Sequence, residues 1–285
     1  MMIKLLTDSG CDLPKEYLDQ EKVHLFPLVV HLDGEDYFDM ETIDSSKIYE
    51  AMRNELVPKT SQVPPTRFED TFTALAKEKA EVFYVSFSSE LSGTYQTARM
   101  MAEQVKEQFP DFKITVLDTK CASLGMGLVV RKAVELIESG LTYSEVVEQT
   151  TFFAEHMEHI VTVDNLDYLA RGGRVSKASA FVGGLLNIKP LLHVDEGKLI
   201  PIEKIRGRKK VLQRMIDLMK ERGQDLTSQT IGISHGEDEE TALFLQEKIK
   251  EQLGCETFLI TKIGSAIGAH AGPGTIGLYF VNKLQ

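Results

Sequence analysis

Four hydroxyls, Ser88, Ser89, Ser92 and Thr94, follow an apolar β-rich run at Val82–Val85. A long helical pattern opens there, with Tyr95, Ala98, Met101, Ala102 and Val105 on one face. The first N–H groups of a helix lack partners inside it, and its dipole places partial positive charge at that end. Such a strand-to-helix junction is suited to an anion. No Lys or Arg occurs in this stretch before Arg99. A triphosphate calls for cations and usually a metal, whereas neutral donors can satisfy one carboxylate. The chemistry expected is retention of a small, weakly charged head group.

Other segments supply further candidates. Lys59-Thr60-Ser61-Gln62-Val63-Pro64-Pro65 lies between two helical patterns. It reads as a turn with Thr66 capping the next helix, and also as a polar ligand loop. Asp118 to Gly127 is a second strand end rich in small residues, but its glycine spacing is not that of a dinucleotide loop. In Tyr168 to Ser176, Arg171 and Arg174 bracket Gly172-Gly173, which suits a C-cap, with Ser176 as the next N-cap. Either arginine can clamp a carboxylate or phosphate, or remain solvated. Ala178–Ile188 is apolar nearly all round, as a core segment or the wall of a ligand tunnel would be. Lys204, Arg206 and Arg208, with Lys209 and Lys210, form one basic cluster, a solvated helix start or a dock for an acidic partner. His270 sits among small residues, able to face a ligand. His156 and His159 alone do not make a metal site, and none is expected.

The elements that must position these groups alternate in the first half. Strands are expected at Ile3–Thr7, Leu25–His31, Val82–Phe87 and Ile114–Asp118. Helices are expected at 15–21, 45–54, 67–79, 91–108, 121–139 and 143–156. This alternation predicts an α/β domain, residues 1–158, with a parallel sheet in a three-layer α/β/α arrangement. Ligands of such sheets sit beyond the carboxyl ends of the strands. The remainder, 159–285, reads as an α+β domain with a mixed sheet. A hairpin turns at Asp195-Glu196-Gly197, helices span 208–222 and 237–253, and strands span 230–234, 257–261 and 276–281.

Composition narrows the function classes. The 285 residues are 42% hydrophobic and 26% charged, with net charge −11. Such a charge disfavours nucleic acid or an anionic lipid surface as main partner, leaving at most transient membrane contact. Three separated cysteines suit a reducing compartment. With no signal-peptide layout and no apolar run near the roughly 18 residues of a span, a cytoplasmic protein is expected. No G-x-S-x-G elbow occurs, so a serine hydrolase of acyl esters would have to pair Ser88, Ser89 or, in the preferred version, Ser92 with His270.

Six stretches, in matching order, resemble the DegV family, the acyl-binding subunits of bacterial fatty acid kinase. They are Thr7-Asp8-Ser9 with Asp12-Leu13-Pro14, Thr60-Ser61-Gln62, Phe87 to Tyr95, Asp118 to Gly127, Tyr168 to Ser176, and His270 to Gly277. Val63 stands where the family usually has proline. The resemblance implies a two-domain protein holding one long-chain fatty acid, such as palmitate, in a tunnel, with no cofactor and no catalytic activity of its own. Thr60 and Ser92 match the family's carboxylate ligands, and His270 and Arg171 match residues near the head group. A separate ATP-dependent kinase subunit would phosphorylate the carboxylate, and the acyl-phosphate would pass to acyltransferases of phospholipid synthesis. Lys204, Arg206 and Arg208 would then be the kinase-docking surface.

Overall fold

The computed structural model describes residues 3–175 and 187–284; Ser176 and most of the apolar 178–188 segment lie outside the described residues. Strands β1 (Ile3–Asp8), β2 (His24–Phe26), β6 (Glu81–Ser86) and β7 (Lys113–Asp118) form a four-stranded parallel sheet ordered β2-β1-β6-β7. Side chains alternate across it. Leu6, Val82 and Tyr84 face one core with α2 (Ser45–Arg53), α3 (Pro65–Lys77) and α4 (Thr94–Gln108). Leu5, Phe83 and Val85 face another with α1 (Lys15–Gln20), α5 (Ser123–Glu138) and α6 (Tyr143–Glu155). Apolar residues on both faces are what a covered parallel sheet demands, and the expected α/β/α layering is found.

The expected strand at Leu25–His31 is two strands. Pro27 supplies no N–H and ends β2, and the chain re-enters as β3 (Val29–Leu32) in a separate antiparallel sheet. There β3 lies between β4 (Glu35–Phe38) and β5 (Lys59–Ser61). The Lys59–Pro65 segment is therefore not simply a turn: its first three residues are an edge strand, with Val30 opposite Thr60. Thr66 does not cap α3, which begins at Pro65 after Pro64 without a side-chain cap; proline suits this first position because its missing N–H would have no partner there. Helix α4 begins at Thr94 rather than Leu91. The amides of Leu91 and Ser92 turn back to the carbonyl of Ser88 instead.

The second half builds a six-stranded mixed sheet, β10-β9-β8-β13-β11-β12, from β8 (Met157–Thr162), β9 (Ile188–Asp195), β10 (Lys198–Arg206), β11 (Ile231–His235), β12 (Phe258–Lys262) and β13 (Ile276–Val281). One face packs on α8 (Arg208–Arg222) and α9 (Glu239–Leu253) through residues such as Ile160, Leu191, Met215 and Leu245. The other face turns towards the first half. Two short helices complete the join, α7 (Asp167–Gly172) and α10 (Ser265–Ala271). Ala266 and Ala269 of α10 belong to the same core as α2 and α3. Small residues let this helix lie against the side chain of Tyr49, whose hydroxyl donates to the Ile263 carbonyl.

Candidate functional site

An apolar cavity with an open mouth lies between the mixed sheet and the turn after β6, with β5 and α10 contributing to its walls. Its walls carry the inner-facing residues of the mixed sheet, Val161, Val194 and Leu199, opposite Phe87 and Leu91. Helix α10 runs along it with Ala266, Ile267 and His270. The cavity's polar members include Thr60, Ser61, Ser92, Arg174 and His270, with Ser123, His159 and Tyr279. The lining matches a site for a largely apolar small molecule with few polar anchors.

Thr60 Oγ1 lies 2.6 Å from His270 Nε2, across 210 positions of chain. The segment around Thr60 reaches this point because β5 pairs with β3, and His270 because α10 docks on α2 and β3. Burial, and then the charge of Arg174, push the His270 imidazole down to about 4. The ring is therefore neutral at pH 7 and carries one N–H. Gly172 packs on its other side: a Cβ there would sit 2.1 Å from His270 Nδ1.

The four hydroxyls of the strand-to-helix turn have separate fates. Ser88 is buried and donates to the Gly197 carbonyl in the β9–β10 hairpin, 2.9 Å away. Ser89 Oγ accepts from Lys120 Nζ, which is paired with Asp118. Ser92 lines the cavity, its Oγ 2.9 Å from Thr94 Oγ1. Thr94 is fully buried. The turn is not free of cations, as its own sequence suggests. Tertiary structure brings Arg174 to it, with Nε donating to the Leu91 carbonyl at 3.2 Å.

Arg171 takes a different place from Arg174. It lines an outer hollow together with Thr60, Gly172, Arg174 and His270, not the apolar cavity. Its guanidinium stacks over Tyr168 and donates to the Asp167 carbonyl. Arg174 lines both spaces, a difference from Arg171 that the local sequence does not carry. Thr60 and His270 also line both, so this pair stands between the hollow and the cavity.

Elsewhere, Arg208 is held by Asp164 and Asp238 and donates to the Gly274 carbonyl, while Lys204 and Arg206 are exposed. His159 is buried, its Nε2 accepting from the Ala122 amide at 3.2 Å, and burial pushes it down to about 4. It is a satisfied core histidine that also walls the cavity. His270 meets Thr60, so Ser92 and His270 do not form a hydrogen-bonded nucleophile and base. A Ser–His–Asp succession does occur on the small sheet, where His31 lies 2.5 Å from both Ser61 Oγ and Asp36 Oδ1. Its acid is 71% exposed. Among the described residues no cluster of three or more metal-ligating side chains is found, and no helix is long and apolar enough to cross a membrane.

A family model described as an uncharacterised protein of the DegV family matches residues 2–283. A DegV domain-containing protein of Clostridium perfringens is 36% identical over 286 residues, covering 99% of this chain and 98% of its own. The solved structure of a DegV family protein from Thermus thermophilus, described as fatty acid binding, has TM-score 0.88 and 34% identity, covering 98% of this chain and 99% of that one. A stearic acid-binding protein from Eubacterium ventriosum has TM-score 0.88 and 28% identity, covering 98% and 97%.

Proposed function

The chain belongs to the DegV family, and from that premise we propose that it holds one long-chain fatty acid in the apolar cavity with the carboxylate at Thr60 and Ser92. The observation that carries this reading is that two hydroxyls from distant segments, Thr60 and Ser92, both line a single apolar cavity. An alkyl chain contributes about 0.8 kcal/mol per buried CH₂, so few polar contacts are needed for tight binding. Hydroxyl donors leave a carboxylate more nucleophilic than a bidentate guanidinium does. The outer hollow beside Thr60 and His270 gives a second molecule a route to the head group. The protein thus presents the carboxylate to a separate ATP-dependent kinase subunit, and the acyl-phosphate feeds phospholipid synthesis through acyltransferases. Exposed Lys204 and Arg206 suit contact with an acidic partner, while Arg208 serves chiefly to hold Asp164 and Asp238. Mass spectrometry of denatured purified protein tests the core of this reading: a long-chain fatty acid is expected, and a consistently empty protein would overturn it.

A serine hydrolase acting on acyl esters is the second reading, and the Ser61–His31–Asp36 succession gives it more geometry than Ser92 with His270. A fluorophosphonate probe separates the two. A carrier stays unlabelled, whereas stoichiometric label on Ser61 or Ser92 establishes the hydrolase.

A further inference from the structure

The protons and lone pairs around Ser92 leave a definite task for its buried neighbour Thr94. Ser92 Oγ accepts from the backbone N–H of Thr94 at 3.3 Å and lies 2.9 Å from Thr94 Oγ1. Thr94 Oγ1 itself accepts from the backbone N–H of Val63, 3.4 Å away. Thr94 is fully buried, so its own hydroxyl proton needs an acceptor, and among the described residues Ser92 Oγ is the one within reach. With that proton placed, both lone pairs of Ser92 are used. Among the described residues this leaves Ser92 its own O–H to give, and Ser92 lines the cavity.

We propose that Thr94 is the positioning residue of the head-group site, fixing the Ser92 hydroxyl as a donor aimed at the ligand carboxylate through the relay Val63 N–H to Thr94 O–H to Ser92 O–H. This rests on the carrier reading above and deepens it. The Thr60 side has the same form. His270 carries one N–H, and placing it on Nε2 lets the ring donate to Thr60 Oγ1, freeing the Thr60 proton for the same carboxylate. Each carboxylate contact is then the last member of a chain of donors, which polarises it and strengthens it towards an anion. Neither relay places a cation against the carboxylate. The relay also gives the Val63 segment a role, since this loop supplies the first donor.

Palmitate titration of the delipidated full-length protein tests the proposal through a double-mutant cycle. Thr94→Val removes the hydroxyl at nearly constant shape and is expected to weaken palmitate binding about tenfold, the scale of a hydrogen bond to a charged group. Thr94→Ser restores the hydroxyl and should recover most of that loss, which also covers the case in which Thr94→Val fails to fold. Thr94→Val in a Ser92→Ala background should add almost nothing, because Thr94 acts only through Ser92. Equal binding by Thr94→Val and wild type, no recovery in Thr94→Ser, or a full further loss in the Ser92→Ala background would each overturn the relay. If wild type takes up no palmitate while remaining folded, the carrier reading falls and the relay with it; additive losses with an intact wild-type response remove the relay alone.

Discussion

Thr60 and His270 are 210 residues apart in sequence and 2.6 Å apart in space, and each lines both the apolar cavity and the outer hollow. Any ligand head group placed between these spaces meets this pair. The contact also ties an edge strand of the first half to a helix of the second, so site geometry and the join between halves depend on each other.

Removing the head-group donors tests the proposed site directly. Thr60→Ala and Ser92→Ala are each expected to weaken palmitate binding by about 10- to 100-fold, since each deletes a hydrogen bond to an ionised group. Titration calorimetry with delipidated protein reads this. Unchanged affinity in both variants would place the carboxylate elsewhere.

Gly172 gives a more selective probe. A methyl there would collide with His270 Nδ1 at 2.1 Å, and the backbone at Gly172 lies outside the left-handed region, so alanine is not otherwise strained. Gly172→Ala is expected to push the imidazole off Thr60 and lower palmitate affinity several-fold, with a proportionally smaller loss of melting temperature. An equal loss of stability and affinity would argue that the ring packs structurally rather than orienting Thr60.

Asp12 is expected to contribute to a fall in stability as pH rises. Burial raises its carboxyl to about 8 from an ordinary value of 3.8. A raised carboxyl keeps its proton when folded and loses it when unfolded, so its contribution is complete below pH 3.8 and is lost as pH rises through about 8. Between pH 6 and 8 the cost is on the order of 2–3 kcal/mol. Asp12→Asn mimics the neutral form: its amide can donate to Ser123 and its oxygen can still accept from the Gly264 amide, the partners Asp12 holds at 2.5 and 2.9 Å. Thermal melts from pH 6 to 9 should show a shallower decline in this variant than in wild type. A parallel decline would assign the slope to other groups.

Charge reversal separates the two arginines of the basic cluster. Arg208→Glu would set three carboxylates together with Asp164 and Asp238, so a clear drop in melting temperature is expected. Arg206 is exposed, and Arg206→Glu should leave stability within about 0.5 kcal/mol. If the cluster docks a kinase subunit, phosphorylation of the bound acyl chain should slow in Arg206→Glu. Unaltered turnover would remove Arg206 from the docking surface.

Local pattern was enough for much of the fold. The apolar runs at β1, β6, β7 and β13 and the period of α8 depend on near neighbours, and each element lies where its side-chain alternation places it. Helix α10 was not legible: Gly264-Ser265-Ala266-Ile267-Gly268-Ala269 has weak helical preference, and its stability comes from packing on Tyr49 and from Asp39, which accepts from the amides of Ser265 and Ala266. The split of β2 from β3 likewise depends on which sheet each half joins.

Sequence alone determined which residue types were available to the site, because hydroxyls, a lone histidine and bracketing arginines are local facts. It placed Thr60, Ser92 and His270 among the candidates through their family resemblance. Only tertiary structure decided their relations. Thr60 meets His270, Ser92 is backed by Thr94, and Arg174 rather than Arg171 reaches the cavity wall. The physical reason is that a hydrogen bond's direction and a side chain's exposure depend on partners brought from distant segments. The strand-to-helix turn at Ser88–Thr94 carries no cation of its own, and the fold brings Lys120 to Ser89 and Arg174 to the Leu91 carbonyl while Ser92 lines the cavity.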